Sequence, residues 1–188
     1  MTQQDFFILV LKSLEACGIL YMVSGSVGAM LYGEPRLTND MDVVVEISPD
    51  QVEQLRSYFE ADVFYMPSVE LIREVIRRKG QFNIIHVESG SKVDLIIRKE
   101  TPYAKTEFSR RSRLEFSENF QAQTARPEDI ILSKMLAYQS GGLEKHVLDI
   151  LSILEISGDS LDRDYLAQWI KQLGLHSIWQ VISQHRKT

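Results

Sequence analysis

The chain has 188 residues, of which 44% are hydrophobic and 25% charged, with a net charge of −5 and a single cysteine. That length supports one substantial core with a small appended lobe, and Cys17 among apolar neighbours excludes a disulfide framework and points to a reducing, cytoplasmic compartment. No apolar run approaches the ~18 residues that span a bilayer, so no membrane partner is expected, and the acidic total argues against a general nucleic-acid binder.

An acid precedes the apolar run of "QDFFILVLKSLEACG" and no basic leader does, so 5–17 reads as an amphipathic helix stopped by Gly18, not a signal peptide. "ILYMVSG" (19–25) reads as a short apolar strand. "SVGAMLYG" (26–33) reads as a short helix with Ser26 as N-cap and Gly33 as its stop. The loop "EPRLTN" leads to "DMDVVVEI" (40–47), which is β-branched and strand-like. Ser48 followed by Pro49 opens a helix over 48–59, and Ser68 opens another over 68–79 that ends at Gly80. "FNIIHVE" (82–88) and "KVDLIIR" (92–98), joined by "SGS", form a hairpin. A basic, loop-rich stretch follows, with an edge strand near 120–125. From Pro127 the pattern is helical alone, over 127–139, 144–156 and 162–173. The expected fold is α+β: a small mixed β-sheet flanked by helices in a catalytic unit (1–125), then a C-terminal helical lobe (126–188).

Charge is uneven along this chain. Residues 72–113 carry eleven Lys and Arg and five acids, a local excess of +6 that can attract phosphates or an RNA acceptor. The alternative is a set of solvated helix and loop faces.

Asp40 and Asp42 are two apart in a strand, so their side chains share one face while Met41 and Val43 point the other way. Carboxylates placed together repel each other, and burial adds to the cost, unless a cation lies between them. Mg²⁺ prefers such oxygen ligands. Asp94, in "KVDLII", offers a third acid, and three acids on adjacent strands can hold the two ions used in in-line phosphoryl or nucleotidyl transfer. Gly25 allows close backbone approach to a phosphate, and Ser26 at a helix start adds a donor. Taken singly, the D-x-D reads as a wet strand face and the Gly-Ser as a cap. Together, at this spacing, they read as a site. His86, His146, His176 and His185 show no metal-ligand spacing and read as core or surface residues. Tyr165, Trp169 and Trp179 fall at intervals suited to a helical core.

Gly25, Ser26, Asp40, Asp42 and Asp94 resemble the signature of the polymerase-β-like nucleotidyltransferase superfamily. "GAMLYGEPRLTNDMDVVV" and "ARPEDIILSKMLAY…KHVLDILSIL" resemble its AbiEii-like branch, which includes toxin components of bacterial toxin–antitoxin systems. The resemblance implies a nucleoside triphosphate donor such as ATP, two Mg²⁺ ions, and transfer of a nucleoside monophosphate to a hydroxyl of RNA or tRNA, protein or an antibiotic. It places Asp40, Asp42 and Asp94 on the metals, and Gly25, Ser26 and Lys134 on the triphosphate. Arg36 either joins them at a phosphate or braces its loop against Asp40; Lys134 otherwise reads as an exposed helix lysine. His146 stands where related sequences carry an acid, while Lys145 and Asp149 match. A homodimer or an antitoxin is a candidate partner, and a catalytically silent binding or regulatory module of the same fold is the alternative.

Overall fold

The alternating pattern of "DMDVVVEI" becomes the middle of a sheet. In a computed structural model, which describes residues 1–185 apart from the side chain of His185, the strands are β1 (Leu20–Ser24), β2 (Asp40–Glu46), β3 (Phe64–Tyr65), β4 (Gln81–His86), β5 (Lys92–Ile97), β6 (Ser112–Ser117) and β7 (Phe120–Thr124). They form one mixed sheet in the order β3-β4-β5-β2-β1-β7-β6. β2 lies antiparallel to β1 and parallel to β5. Residues 186–188, the end of the expected lobe, and the His185 side chain lie outside the described residues.

One face of the sheet is covered by α1 (Gln3–Ala16), α3 (Val52–Arg56, behind a 3₁₀ turn at Pro49–Gln51) and α4 (Val69–Arg77). Val43, Val45, Val93 and Leu95 point into this core and meet Phe6, Leu11, Leu55 and Ile72. α1 starts earlier than the sequence suggested because Thr2 and Asp5 form a capping box: the Asp5 amide donates to Thr2 Oγ1 at 3.1 Å and the Thr2 amide to Asp5 Oδ2 at 3.0 Å. The other face carries α2 (Gly25–Met30), α5 (Pro102–Arg110), α6 (Pro127–Gly141), α7 (Glu144–Ile156), α8 (Arg163–Gln172) and α9 (His176–His185). Their core joins Met22, Ala29, Tyr103 and Phe108 to Ile131, Ile150, Trp169 and Ile182.

Four elements were not foreseen: β3, α5, β6 and α9. The stretch read as basic loop holds α5, whose start is fixed by Thr101 accepting from the Ala104 amide at 3.2 Å, with Pro102 in the first turn. The expected helix over 48–59 is shorter, a 3₁₀ turn running into α3. Ser26 is not a cap: the N-cap of α2 is Ser24, and Gly25 begins the helix at φ +61°.

Candidate active site

Strand register puts the polar residues in a row. Ser24 of β1 pairs with Asp42 of β2, and Asp42 pairs with Asp94 of β5. Neighbouring strands lie ~4.8 Å apart, so these three side chains stand side by side on the face that carries α2 and α6. One step along, Asp40 pairs with Lys92; one step the other way, Val44 pairs with Ile96. The sequence thus lays down an acidic row and, directly beside it, an apolar floor.

Gly25 is held close against this row. A β-carbon there would stand 2.7 Å from Asp42 Cγ and 2.8 Å from Asp42 Cβ, and the positive φ already disfavours any L side chain. The backbone of Gly25 therefore touches the carboxylate itself, a tighter role than an approach to phosphate alone.

Asp42 makes no hydrogen bond or ion pair among the described residues, and burial together with the facing Asp94 pushes its carboxyl above the ordinary carboxylate range. A half-buried carboxylate without a cation partner, opposite a second acid, is short of positive charge. Asp40, Asp42 and Asp94 are by chemistry hard oxygen donors of the kind Mg²⁺ takes, while among the described residues no three such side chains stand as a ready ion site. Part of the deficit is met by Lys92, whose Nζ stands 2.9 Å from Asp94 Oδ2 and 3.5 Å from Asp40 Oδ2. A divalent ion bound there would have to compete with this ammonium. Lys92→Met is expected to tighten Mn²⁺ binding about two- to fivefold, the scale of a half-exposed ion pair. Titration of the Mn²⁺ paramagnetic signal reads it, and weaker binding in the variant would show that the lysine assists the ion.

Lys134 and Arg36 lie beside the row, and both are held by Asp149. Lys134 is buried, with Nζ 2.5 Å from Asp149 Oδ2, so the exposed-lysine alternative is wrong. Arg36 donates through Nε to Asp149 Oδ1 at 2.7 Å and through Nη2 to Oδ2 at 3.0 Å. The same Nη2 donates to Ser26 Oγ at 2.5 Å. Arg36 does brace its loop, but against Asp149 of α7 and not against Asp40. Burial works to raise the Asp149 carboxyl, yet the hydrogen bonds from Arg36 and Lys134 outweigh it and its pKa falls. Burial lowers Lys134 in turn.

A cleft of about 840 Å³ opens from Ser26, Asp42 and Lys134 across Val44 and Ile96 to α5 and α8. Two residues on its wall had not been singled out as site residues. His146 has its Nδ1 buried without a partner, and burial, with Lys134 and Lys145 nearby, lowers its pKa. The carboxyl of Glu107, on the unforeseen α5, makes no hydrogen bond or ion pair among the described residues. His86 is a core residue, its Nδ1 2.8 Å from Ser89 Oγ and its ring beside Phe6 and Phe64. Trp169 belongs to the core, as its spacing suggested, and also reaches the cleft.

The basic stretch 72–113 is less free than its composition implies. Eight of its eleven bases pair with acids, including Arg73 with Glu53, Arg98 with Glu46, and Arg110 with Glu128 and Asp129. Arg111 lies over the Phe108 ring, 4.2 Å from its centroid.

A family model described as "Nucleotidyl transferase AbiEii toxin, Type IV TA system" matches residues 29–185. No curated protein matches the sequence. Among solved structures, the chain is similar to an antigenic nucleotidyltransferase-like protein from Paracoccidioides brasiliensis, with 18% identity and a TM-score of 0.55 over 81% of this chain and 75% of that one. It is similar to the lincosamide antibiotic adenylyltransferase LnuA, with 14% identity and a TM-score of 0.54 over 83% and 98%. The antibiotic-resistance factor ANT(2'')-Ia shares 12% identity with a TM-score of 0.58 over 98% and 97%. These likenesses establish the fold. No helix among the described residues is long and apolar enough to cross a membrane.

Proposed function

The chain belongs to the AbiEii nucleotidyl transferase family, and from that premise we propose that it moves a nucleoside monophosphate from a nucleoside triphosphate to a hydroxyl acceptor, with Mg²⁺. One observation carries the reading. Asp42 stands at the end of the cleft with the Gly25 backbone against it and the buried Lys134 in the same wall, and it pairs in register with Asp94, while the more exposed Arg36 reaches Ser26.

In this reading Ser26, Lys134 and Arg36 hold the triphosphate, and Gly25 lets backbone and phosphate come close. Asp40, Asp42 and Asp94 would hold two ions, which when bound supply charge neutralisation at the triphosphate and activation of the attacking hydroxyl. Asp94 orients the acceptor hydroxyl and takes its proton. A bond forms between the acceptor oxygen and the α-phosphorus, the bond to the β-phosphate oxygen breaks, and pyrophosphate leaves. Asp149 works behind the cations: it fixes Lys134 and Arg36 where phosphate oxygens can reach them.

The family's description as a toxin of a type IV toxin–antitoxin system supports a cellular macromolecule as acceptor. The largely neutralised 72–113 stretch leaves tRNA and protein as equal candidates, and the antibiotic-modifying neighbours add aminoglycosides and lincosamides to the panel. The test is incubation with α-³²P-labelled triphosphates, Mg²⁺ and each acceptor class. Wild type should label one class, and Asp94→Asn should lose at least about a hundredfold of that rate, the scale of a lost general base. Equal labelling by both proteins overturns the proposal, and binding of nucleotide without transfer would mark a silent module.

A further inference from the structure

The apolar floor beside the acids is left open. Val44 and Ile96 sit on central strands of the sheet, paired in register, yet both are only half-buried. Val44 packs only in part against the helical core of that face, and the cleft runs over both residues to a wall lined by Leu136, Trp169 and Glu107. Its volume of about 840 Å³ falls in the range of small-molecule sites.

Glu107 is out of place in that wall. Its carboxyl has no partner, while the carboxylates nearest to it along the same helical layer are fully engaged. Asp129 accepts from Arg110 Nε at 3.1 Å and from the Tyr165 hydroxyl at 2.5 Å, and Glu128 accepts from Arg110 Nη2 at 3.0 Å. Burial, with Asp129 adding to it, pushes Glu107 up to about 8. An unpaired carboxyl in an apolar wall costs stability that a hydrophobic residue would not. A ligand that offers N–H groups removes this cost.

The direction of the cleft says which ligand that is. A triphosphate held at Ser26 and Lys134 is anchored at one end of the cleft, and the cleft leads from there across Val44 and Ile96. The acceptor has to attack in line, from the side opposite the departing pyrophosphate, and the acid row is open to solvent at Asp40, whose side chain is 52% exposed. We propose that Glu107 reads the base of the donor nucleotide, with its carboxyl facing the N–H edge of a nucleobase laid on the Val44–Ile96 floor. The proposal rests on the reading that a nucleoside triphosphate is the donor.

The test is calorimetric binding of each common nucleoside triphosphate, with Mg²⁺, to the full chain, to Glu107→Gln and to Glu107→Ala, with inorganic tripolyphosphate as a probe of the phosphate end alone. Wild type should rank the bases over about tenfold or more, as a buried polar reader does. Glu107→Ala should level them to within about threefold, and Glu107→Gln should change their order, while tripolyphosphate affinity stays within about twofold in each. Glu107→Gln keeps the side-chain shape and removes a half-buried ionisable group, so it decides the matter if the alanine variant folds poorly. An unchanged base ranking in both variants, or a wild type that does not rank the bases, overturns the proposal. A wild type that binds tripolyphosphate but no nucleoside triphosphate overturns the donor reading itself.

Discussion

Asp149→Ala is expected to destabilise the protein by about 3–5 kcal/mol, the cost of removing one partner from a buried ion pair. The reason lies in what stays behind. Lys134 is buried on α6 and its ammonium has no other ion-pair or hydrogen-bond partner among the described residues, and Arg36 loses both of its hydrogen bonds to α7. The loop 34–39 would keep the Glu34 amide on Ser152 Oγ and Gln3 Nε2 on the Thr38 carbonyl, but the Arg36 contact to Ser26 would lose its support. Urea unfolding measures the loss. Lys134→Met added to Asp149→Ala should recover a large part of the stability, because it removes the orphaned charge, and should recover none of the activity. An Asp149→Ala protein as stable as wild type would mean that the pair contributes nothing and that the cations are placed by packing alone.

The second large effect has the opposite sign for stability. Asp42→Asn is expected to lose about a thousandfold in transfer rate, the scale of several kcal/mol of transition-state charge stabilisation, while the metal-free protein gains stability at neutral pH. The pKa of Asp42 is raised in the fold by burial and by Asp94, so folding favours its neutral form. The stability this group contributes is therefore fully present below its unfolded-state pKa and is lost as pH rises through the raised folded value. Asparagine keeps the neutral form at every pH. The variant should melt higher than wild type at pH 7 and converge on it in acid, as thermal unfolding across pH would show. A catalytic loss without the gain in stability would point to a displaced strand instead of a missing charge.

The acids were legible because strand periodicity is local: Asp40 and Asp42 share a face whatever the rest of the chain does, and "KVDLII" offered a second strand to pair with them. Lys92 is within the same reach, two residues before Asp94 and so on the same face, but its place in a basic stretch hides that pairing. α5 is the clearest miss. Thr101-Pro102 is the same cap and first-turn proline that Ser48-Pro49 displays, and the polar residues that follow hid it; with the helix went Glu107. Ser26 was misread by two residues as a cap, since whether Gly25 turns before or within the helix depends on Asp42 pressing against it. What sequence could not give was Arg36 reaching Asp149, 113 residues away, because that contact depends on how α7 packs against the loop.

The central claim is that Asp42 belongs to a Mg²⁺-dependent nucleotide site. Calorimetric titration of the full-length protein with the best-bound nucleoside triphosphate, with and without Mg²⁺, tests it most directly when wild type is set beside Asp42→Asn. The account predicts binding in wild type that weakens about tenfold or more when Mg²⁺ is withheld, and binding in Asp42→Asn that is weak with or without the ion. Equal, Mg²⁺-responsive binding in both proteins would contradict it.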